Sequence, residues 1–305
     1  MPLPDAPRSG GWRVHAALAT AQLGFALFPI LGKLTLASIP PMPFAALRVT
    51  SAVALLEIFR RLGPTERIAP KDRRSLFLFA LLGVSINQVL FILGLSLSTA
   101  IHTTILTAMI PVFTLAAAVA LGREKLTGRA TAALLLAGAG AFLLLRPRGT
   151  ASVGDQLAGN LLLLANGLSY SLYLVFSRPL LARYRVSTFT AAVFRYGALP
   201  IVLVALPSLL RFDPSQVPAR AWLFLAGVTV VSTVIPYLCN SWALARVEAS
   251  RVAFYVFVQP LLATILAVLV LRERLSPVTL AAGLLILAGL AVSSWKLRLP
   301  ARPVP

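Results

Sequence analysis

Ten apolar runs, separated by short polar segments rich in arginine, make up most of this chain. They fall at roughly 14–34, 42–60, 75–97, 101–121, 127–145, 157–177, 188–210, 220–244, 251–271 and 277–296. Most hold 19 to 25 residues, enough for a helix to cross hydrocarbon with some tilt. Start signals accompany several of them. Ser276 before Pro277 reads as an N-cap followed by proline in the first turn, where a missing N–H costs nothing. Thr127 is placed to cap the fifth run in the same way. Only a few residues around Thr99 link the third and fourth runs, so those two helices are antiparallel neighbours.

The pattern states itself twice. Pro111 to Thr127 reads P-V-F-T-L-A-A-A-V-A-L-G-R-E-K-L-T, and Pro260 to Ser276 reads P-L-L-A-T-I-L-A-V-L-V-L-R-E-R-L-S. Each is a proline, an uncharged apolar run, a glutamate between two basic residues, then leucine and a hydroxyl. A constant offset of 149 residues relates Pro111 to Pro260 and Glu124 to Glu273. It also relates Ala100 to Ala249, Ala133 to Ala282 and Gly140 to Gly289. An internal repeat of half the chain length divides the protein into two copies, 14–145 and 157–296.

Composition turns this helical pattern into a membrane pattern. The 305 residues are 58% hydrophobic and 12% charged, against about 25% charged in soluble proteins. Mean hydropathy is +0.87. In a soluble protein a net charge of +19 would point to nucleic acid or an acidic partner. Here the basic residues sit in short loops between spans, where they set orientation instead, and no nucleic-acid partner is expected. With the N-terminus inside, 19 of the 28 lysines and arginines fall in cytoplasmic segments and 7 on the other side. The remaining two, Arg48 and Arg195, lie inside spans two and seven. That asymmetry predicts both termini in the cytoplasm, and the membrane expected is a bacterial-type inner membrane. The one cysteine, Cys239, lies in an apolar run and has no intrachain partner. The first run continues through Phe25, Phe28 and Ile30 without a cleavage-type segment and is expected to remain as a span.

Five spans per copy is an odd number, so the second copy enters the membrane upside down relative to the first. The expected fold is an all-α integral membrane protein of ten transmembrane helices arranged as two inverted five-helix repeats. Glu124 then faces the cytoplasm and Glu273 the opposite side. Architectures of this kind recur in secondary transporters, with the site near the midplane where the halves meet.

On these residues the chain resembles the drug/metabolite transporter superfamily, in its ten-helix group with two EamA domains. The resemblance is carried by Pro111 with Gly122-Arg-Glu124-Lys-Leu-Thr and by Pro260 with Leu271-Arg-Glu273-Arg-Leu-Ser. It is carried also by P-P-x-P-F-A-A-L-R ending at Arg48, and by Trp242-Ala-Leu-Ala-Arg-Val-Glu-Ala-Ser250. It covers about 14–296. It implies a basket in which spans 1, 3, 4, 6, 8 and 9 surround a central cavity while 5 and 10 lie at the periphery. It implies transport of a small metabolite, often amino-acid or metabolite export.

Enzyme chemistry has no foothold in the sequence. It offers no Walker-type phosphate loop, no H-E-x-x-H and no zinc-spaced Cys/His set, and only His15 and His102 for base chemistry. No catalytic residue, metal or cofactor is expected. The serine steps after Gly94 and Gly167 are ordinary packing residues in membrane helices. The informative residues are midplane polar groups: Gln22 in span one, Asn87 and Gln88 in span three, Asn166 and Tyr170 in span six, Tyr237 and Asn240 in span eight, and Gln259 in span nine. An amide in hydrocarbon is costly unless it meets a cavity or another helix. Their aromatic neighbours Phe25, Phe91, Tyr173, Phe254 and Tyr255 complete the set of cavity candidates.

Pro111 and Pro260, near the midplane, are hinge candidates because proline frees a carbonyl and permits a bend. Arg48 and Arg195 each lie about 9 Å inside a span end and are read as structural or gating charges that snorkel to the headgroups. Glu124 and Glu273, flanked by basic residues at helix ends, are read as interfacial anchors. Glu57, with Arg60 and Arg61 three and four residues on, is expected to form a local ion pair. No span carries a carboxylate near its midpoint, which argues against cation efflux and for a neutral, zwitterionic or weakly anionic solute. A channel or a non-transporting membrane receptor is the alternative. The partners expected are a small-molecule substrate and the lipid bilayer, with monomer and homodimer both open.

Overall fold

The structure, a computed structural model, describes residues 12–121, 127–145, 153–181, 183–244, 246, 255 and 258–294. Glu124 and Phe254 lie outside the described residues. Among those residues the chain is helical throughout, with eight helices long and apolar enough to cross a membrane and two shorter apolar helices, Gln259–Leu271 and Pro277–Val292. It is a multi-pass membrane protein. Helix α1 runs Trp12–Leu36 and α2 Pro41–Arg61, the latter starting on Pro41 after Pro40. The third apolar run is α3 (Arg73–Ala80), a π-helical turn (Leu81–Ile86) and α4 (Asn87–Leu97). The fourth is split into α5 (Ala100–Thr107) and α6 (Ile110–Ala120). Then come α7 (Gly128–Leu145), α8 (Val153–Leu181) and α9 (Val186–Leu209). The eighth run is α10 (Ala219–Thr229), a second π-helical turn (Val230–Val234) and α11 (Ile235–Leu244), followed by α12 (Val258–Leu271) and α13 (Pro277–Ser294).

The helix starts follow from side chains already visible in the sequence. Thr99 Oγ1 accepts the His102 N–H at 3.0 Å, Thr127 Oγ1 that of Ala130 at 3.3 Å, and Ser276 Oγ that of Thr279 at 3.1 Å. Each hydroxyl satisfies an N–H that the first helical turn leaves unpaired. The expected ion pair of Glu57 forms with Arg60 at 2.5 Å and Arg61 at 3.3 Å.

The π-helical turns were not legible in the pattern. They begin 149 residues apart, at Leu81 and Val230, the offset of the sequence repeat. In the second, Thr233 Oγ1 donates to the Val228 carbonyl five residues back, at 2.8 Å. A widened turn of this kind holds one residue more than an α turn and re-aims the side chains that follow it. Here those residues are Asn87 and Gln88 in one copy, and Pro236 and Tyr237 in the other.

Packing is reciprocal. Helix α4 lies against α8 as α11 lies against α1, and α6 against α8 as α12 against α1. Helices α7 and α13 pair antiparallel with one another. A Cβ added to Gly140 would sit 2.6 Å from the Ala282 carbonyl oxygen, and one on Gly289 would sit 2.7 Å from that of Ala133. The two contacts interchange under the 149-residue offset. Phe44, Phe189, Phe194, Leu18, Leu95 and Leu106 are fully buried, whereas Leu135, Leu199, Leu203, Leu269 and Leu284 stand outward. In water so many exposed leucines would aggregate; in a bilayer they are the lipid-facing sheath.

Candidate functional site

Arg48, on α2, is met by α1, α4 and the second π turn. It lies one third of the way along its helix and is 2% exposed. Its Nε donates to Thr233 Oγ1 of the second π turn at 2.9 Å, and its Nη1 donates to Gln88 Oε1 on α4. Its guanidinium carbon lies 4.0 Å from the centre of the Phe28 ring on α1. Phe28 stacks in turn on Phe91 of α4, with ring centres 4.4 Å apart. Gln88 Nε2 then donates to the Tyr237 hydroxyl on α11 at 3.3 Å. The Tyr237 ring is held edge-on by Phe25 of α1, with centres 5.7 Å apart, and by Phe194 of α9, at 4.9 Å.

Arg48 does not reach out to the surface as a snorkelling arginine would: its guanidinium is buried and held by Thr233, Gln88 and the Phe28 ring. Arg195 differs. It is exposed, and its guanidinium lies 5.7 Å from the Tyr196 ring.

Gln88 and Tyr237 are equivalent residues of the two copies, 149 apart, and they bond to each other. The bond therefore joins corresponding positions of the two sequence copies across the interface between α4 and α11. The sequence held the signal, since both residues were candidates and their spacing equals the repeat offset. Thr233, Phe28 and Phe194 carried no such sign. They read as packing until Arg48 is placed among them.

The remaining amides pair between helices. Gln259 Nε2 on α12 donates to Gln22 Oε1 on α1 at 2.6 Å. Asn166 Nδ2 on α8 donates to the Asn87 backbone carbonyl at 2.8 Å, while Asn87 Nδ2 returns a bond to the Asn166 carbonyl at 3.4 Å. Each such bond is worth about 0.6 to 2 kcal/mol between membrane helices. Asn240 is half-buried and bonds to no described residue. Tyr170 and Tyr173 stack loosely, with centres 5.6 Å apart, and Tyr173 covers Gly83 in the first π turn. Tyr255 meets His15 Nδ1 through its hydroxyl, away from the Arg48 cluster.

Pro111 sits in the first turn of α6, just beyond the two residues, Ala108 and Met109, at which the fourth run breaks. The carbonyl of Ile110 beside it accepts from Ser171 Oγ and Thr114 Oγ1, both at 2.8 Å. Pro260 is buried near the described start of α12. Glu273 reaches across to α5, where Oε1 accepts the Ala100 N–H at 2.7 Å and Oε2 that of Ile101 at 2.9 Å. Next to this cap lies a cavity of about 200 Å³ lined by Thr99, His102, Gln156, Arg274 and Thr279 among others.

At another loop cluster, Tyr184 accepts the Ala69 N–H at 3.1 Å and donates to Asp72 Oδ2 at 2.7 Å, with Arg183 3.3 Å from Asp72. The bond donated to Asp72 raises the Tyr184 phenol above its ordinary range. Removing the hydroxyl by Tyr184→Phe is expected to destabilise the protein by about 1 kcal/mol. A raised pKa in the folded state favours the protonated form. That stabilisation is therefore complete below the ordinary tyrosine pKa of about 10 and fades as pH rises through the folded value. Thermal unfolding at pH 7 and above pH 10 checks this: the gap between wild type and variant should close at the higher pH.

All-helical membrane bundles built from two similar halves recur among transporters. Over residues 12–146 and again over 157–295 the chain matches the EamA-like transporter family, and it belongs to that family. A protein of Archaeoglobus fulgidus called an uncharacterized transporter is 27% identical over 93% of this chain and 98% of its own length. A Bacillus subtilis protein called uncharacterized transporter YcxC is 24% identical over 87% of each chain. WALLS ARE THIN 1 of Arabidopsis thaliana is 25% identical over 91% of this chain and 81% of its own. A crystal structure 20% identical in sequence superposes with a TM-score of 0.66, covering 94% of this chain and 99% of that one; the fold is shared.

Proposed function

We propose that this protein is a secondary carrier exporting a small amino-acid-like, or other neutral or zwitterionic, metabolite across the inner membrane. Two inverted five-helix repeats, 14–145 and 157–296, alternate access to a site between them, with both termini cytoplasmic. The observation that carries this reading is the reciprocity at the 149-residue offset. It appears in the Gly140–Ala282 and Gly289–Ala133 contacts, in the paired π turns and in the Gln88–Tyr237 bond. Two near-equivalent halves packed about an axis can exchange conformations at little net free-energy difference, which is what alternating access requires.

The purified protein in proteoliposomes should show saturable, counterflow-stimulated uptake of a labelled amino acid from a panel that includes organic cations. Selective cation transport would sink the solute class, and unsaturable flux would favour the channel alternative. Pro111 serves as the hinge because the ladder of the fourth run is already broken before it. Pro111→Ala is expected to slow maximal flux roughly tenfold, equivalent to about 1.4 kcal/mol on the conformational step, while half-saturation stays put. Equal rates in the two proteins would remove the proline from the mechanism.

A further inference from the structure

We propose that Arg48 and Tyr237 form a carboxylate-binding site where the two copies meet, a proposal that rests on the carrier reading and names the group its substrate must bear. The first observation is the hydrogen-bond inventory. Arg48 Nε and Nη1 are engaged by Thr233 and Gln88, but Nη2, fully buried, bonds to no described residue. Since Gln88 uses its oxygen on Arg48, it turns its N–H₂ to Tyr237, so the Tyr237 oxygen accepts and its hydrogen stays free to donate. The cluster thus ends in two unused donors, one cationic and one neutral. A single negative charge with two lone-pair-bearing oxygens is the complement.

The second observation is that no described carboxylate serves Arg48 as a counterion. Every described carboxylate except Asp155, which stands in the first turn of α8, is committed elsewhere: Glu57 to Arg60 and Arg61, Glu66 to the Arg185 backbone, and Asp72 to Tyr184 and Arg183. Asp213 is held by Ser215, and Glu273 caps α5. A guanidinium taken out of water without an anion carries a desolvation penalty that a ligand bearing the anion would remove.

The third is a break in the internal symmetry. The equivalent of Arg48 is Gly197, and that of Thr233 is Val84. In the other copy these two pack directly, a Cβ on Gly197 meeting the Val84 Cβ at 2.5 Å. Helix packing at this contact is therefore met by glycine and valine. The arginine is an addition that packing does not require. One cation matches one carboxylate, which selects monocarboxylates and zwitterions over phosphates and other dianions.

The test uses full-length protein in nanodiscs and thermal-shift titration with glycine, L-alanine, L-leucine, L-threonine and L-phenylalanine, with their carboxamides, and with sodium formate and chloride. Wild type should bind at least one amino acid roughly tenfold more tightly than its amide. Arg48→Gln should bind acid and amide alike, Arg48→Lys should retain a reduced preference, and Tyr237→Phe should weaken the acid alone. Equal binding of acid and amide by wild type overturns the proposal, as does an Arg48→Gln protein that still prefers the acid or a panel in which no carboxylate binds. Formate or chloride competing with the amino acid supports an anion subsite, and their failure to compete at any concentration contradicts one. If Arg48→Gln does not fold, Arg48→Lys and Tyr237→Phe decide. Saturable counterflow of an uncharged solute would leave the carrier standing while this site falls.

Discussion

Gly24→Ala should leave α1 unable to seat, giving a protein that fails to elute as a single species after detergent extraction. The reason is where the added methyl would go. A Cβ at this position lies 2.4 Å from Pro236 Cγ and 2.4 Å from the Val231 carbonyl oxygen. The first atom belongs to a rigid ring and the second to the backbone of a π turn, so neither can swing aside. Relief requires α1 to withdraw by roughly 1 Å, which would open the contacts of Phe25 and Phe28 with Tyr237 and Arg48. Overpacking a core commonly costs about 1–3 kcal/mol, and a clash with backbone belongs at or beyond the upper end. Gly138→Ala supplies the control. Nothing lies within 4 Å of a Cβ there, and an alanine in an exposed helix position gains about 1 kcal/mol over glycine. If Gly24→Ala and Gly138→Ala behave alike, the close approach of α1 to the second π turn is wrong.

That contrast also shows what the sequence could and could not disclose. Each apolar run holds a helix or helix pair among the described residues, eight of them long and apolar enough to cross a membrane, because length and hydropathy alone dictate a span. Helix starts at Thr127 and Ser276 were legible from a hydroxyl before an apolar run, whereas the cap that Thr99 gives α5 was not read from the sequence. The π turns at Leu81–Ile86 and Val230–Val234 were not. Their residues, L-L-G-V-S-I and V-V-S-T-V, suit an α-helix equally well, and the extra residue is fixed by the neighbour they pack on. The break at Ala108–Met109 was announced only by Pro111, which also fits a gently kinked, continuous helix.

For the candidate site, residue types were legible and partners were not. A midplane amide must find a hydrogen bond, but whether from a ligand, a helix or a backbone carbonyl depends on geometry. Asn87 and Asn166 took each other's backbone carbonyls, and Gln22 took Gln259. Arg48 misled because depth in a span says nothing about direction. An arginine 9 Å from a helix end reaches outward or inward with equal ease. Phe28 one turn beyond Gly24, and the shared 149-residue spacing of Gln88 and Tyr237, decide it.

Glu273→Ala is expected to lower stability by about 2 kcal/mol, or roughly 4 °C in unfolding temperature for a chain of this size, and to loosen one face of the protein. Charge and basic neighbours make this glutamate look like an interfacial anchor, but its geometry says more. Arg272 adopts a left-handed backbone, with φ of 54°, and the Glu273 N–H turns back to the Ala267 carbonyl at 3.2 Å, ending α12 abruptly. That turn aims the carboxylate at α5, where both oxygens accept backbone N–H groups at a helix N-terminus. There an anion is stabilised by the donors and by the helix dipole together. The cap thus ties the second copy of the repeat to the first beside the cavity lined by His102, Gln156 and Thr279. Glu273→Gln keeps the shape but loses the charge, so it should lose about half as much stability. A cysteine at Gln156 in a Cys239→Ser background reports on the cavity. Its reaction with a membrane-impermeant thiol reagent should quicken several-fold in Glu273→Gln, because each 1.4 kcal/mol removed from a closed state raises the open population tenfold. Unfolding temperatures unchanged in Glu273→Ala, with labelling rates unchanged in Glu273→Gln, would reduce the carboxylate to a surface charge and leave the two copies joined only through their apolar faces.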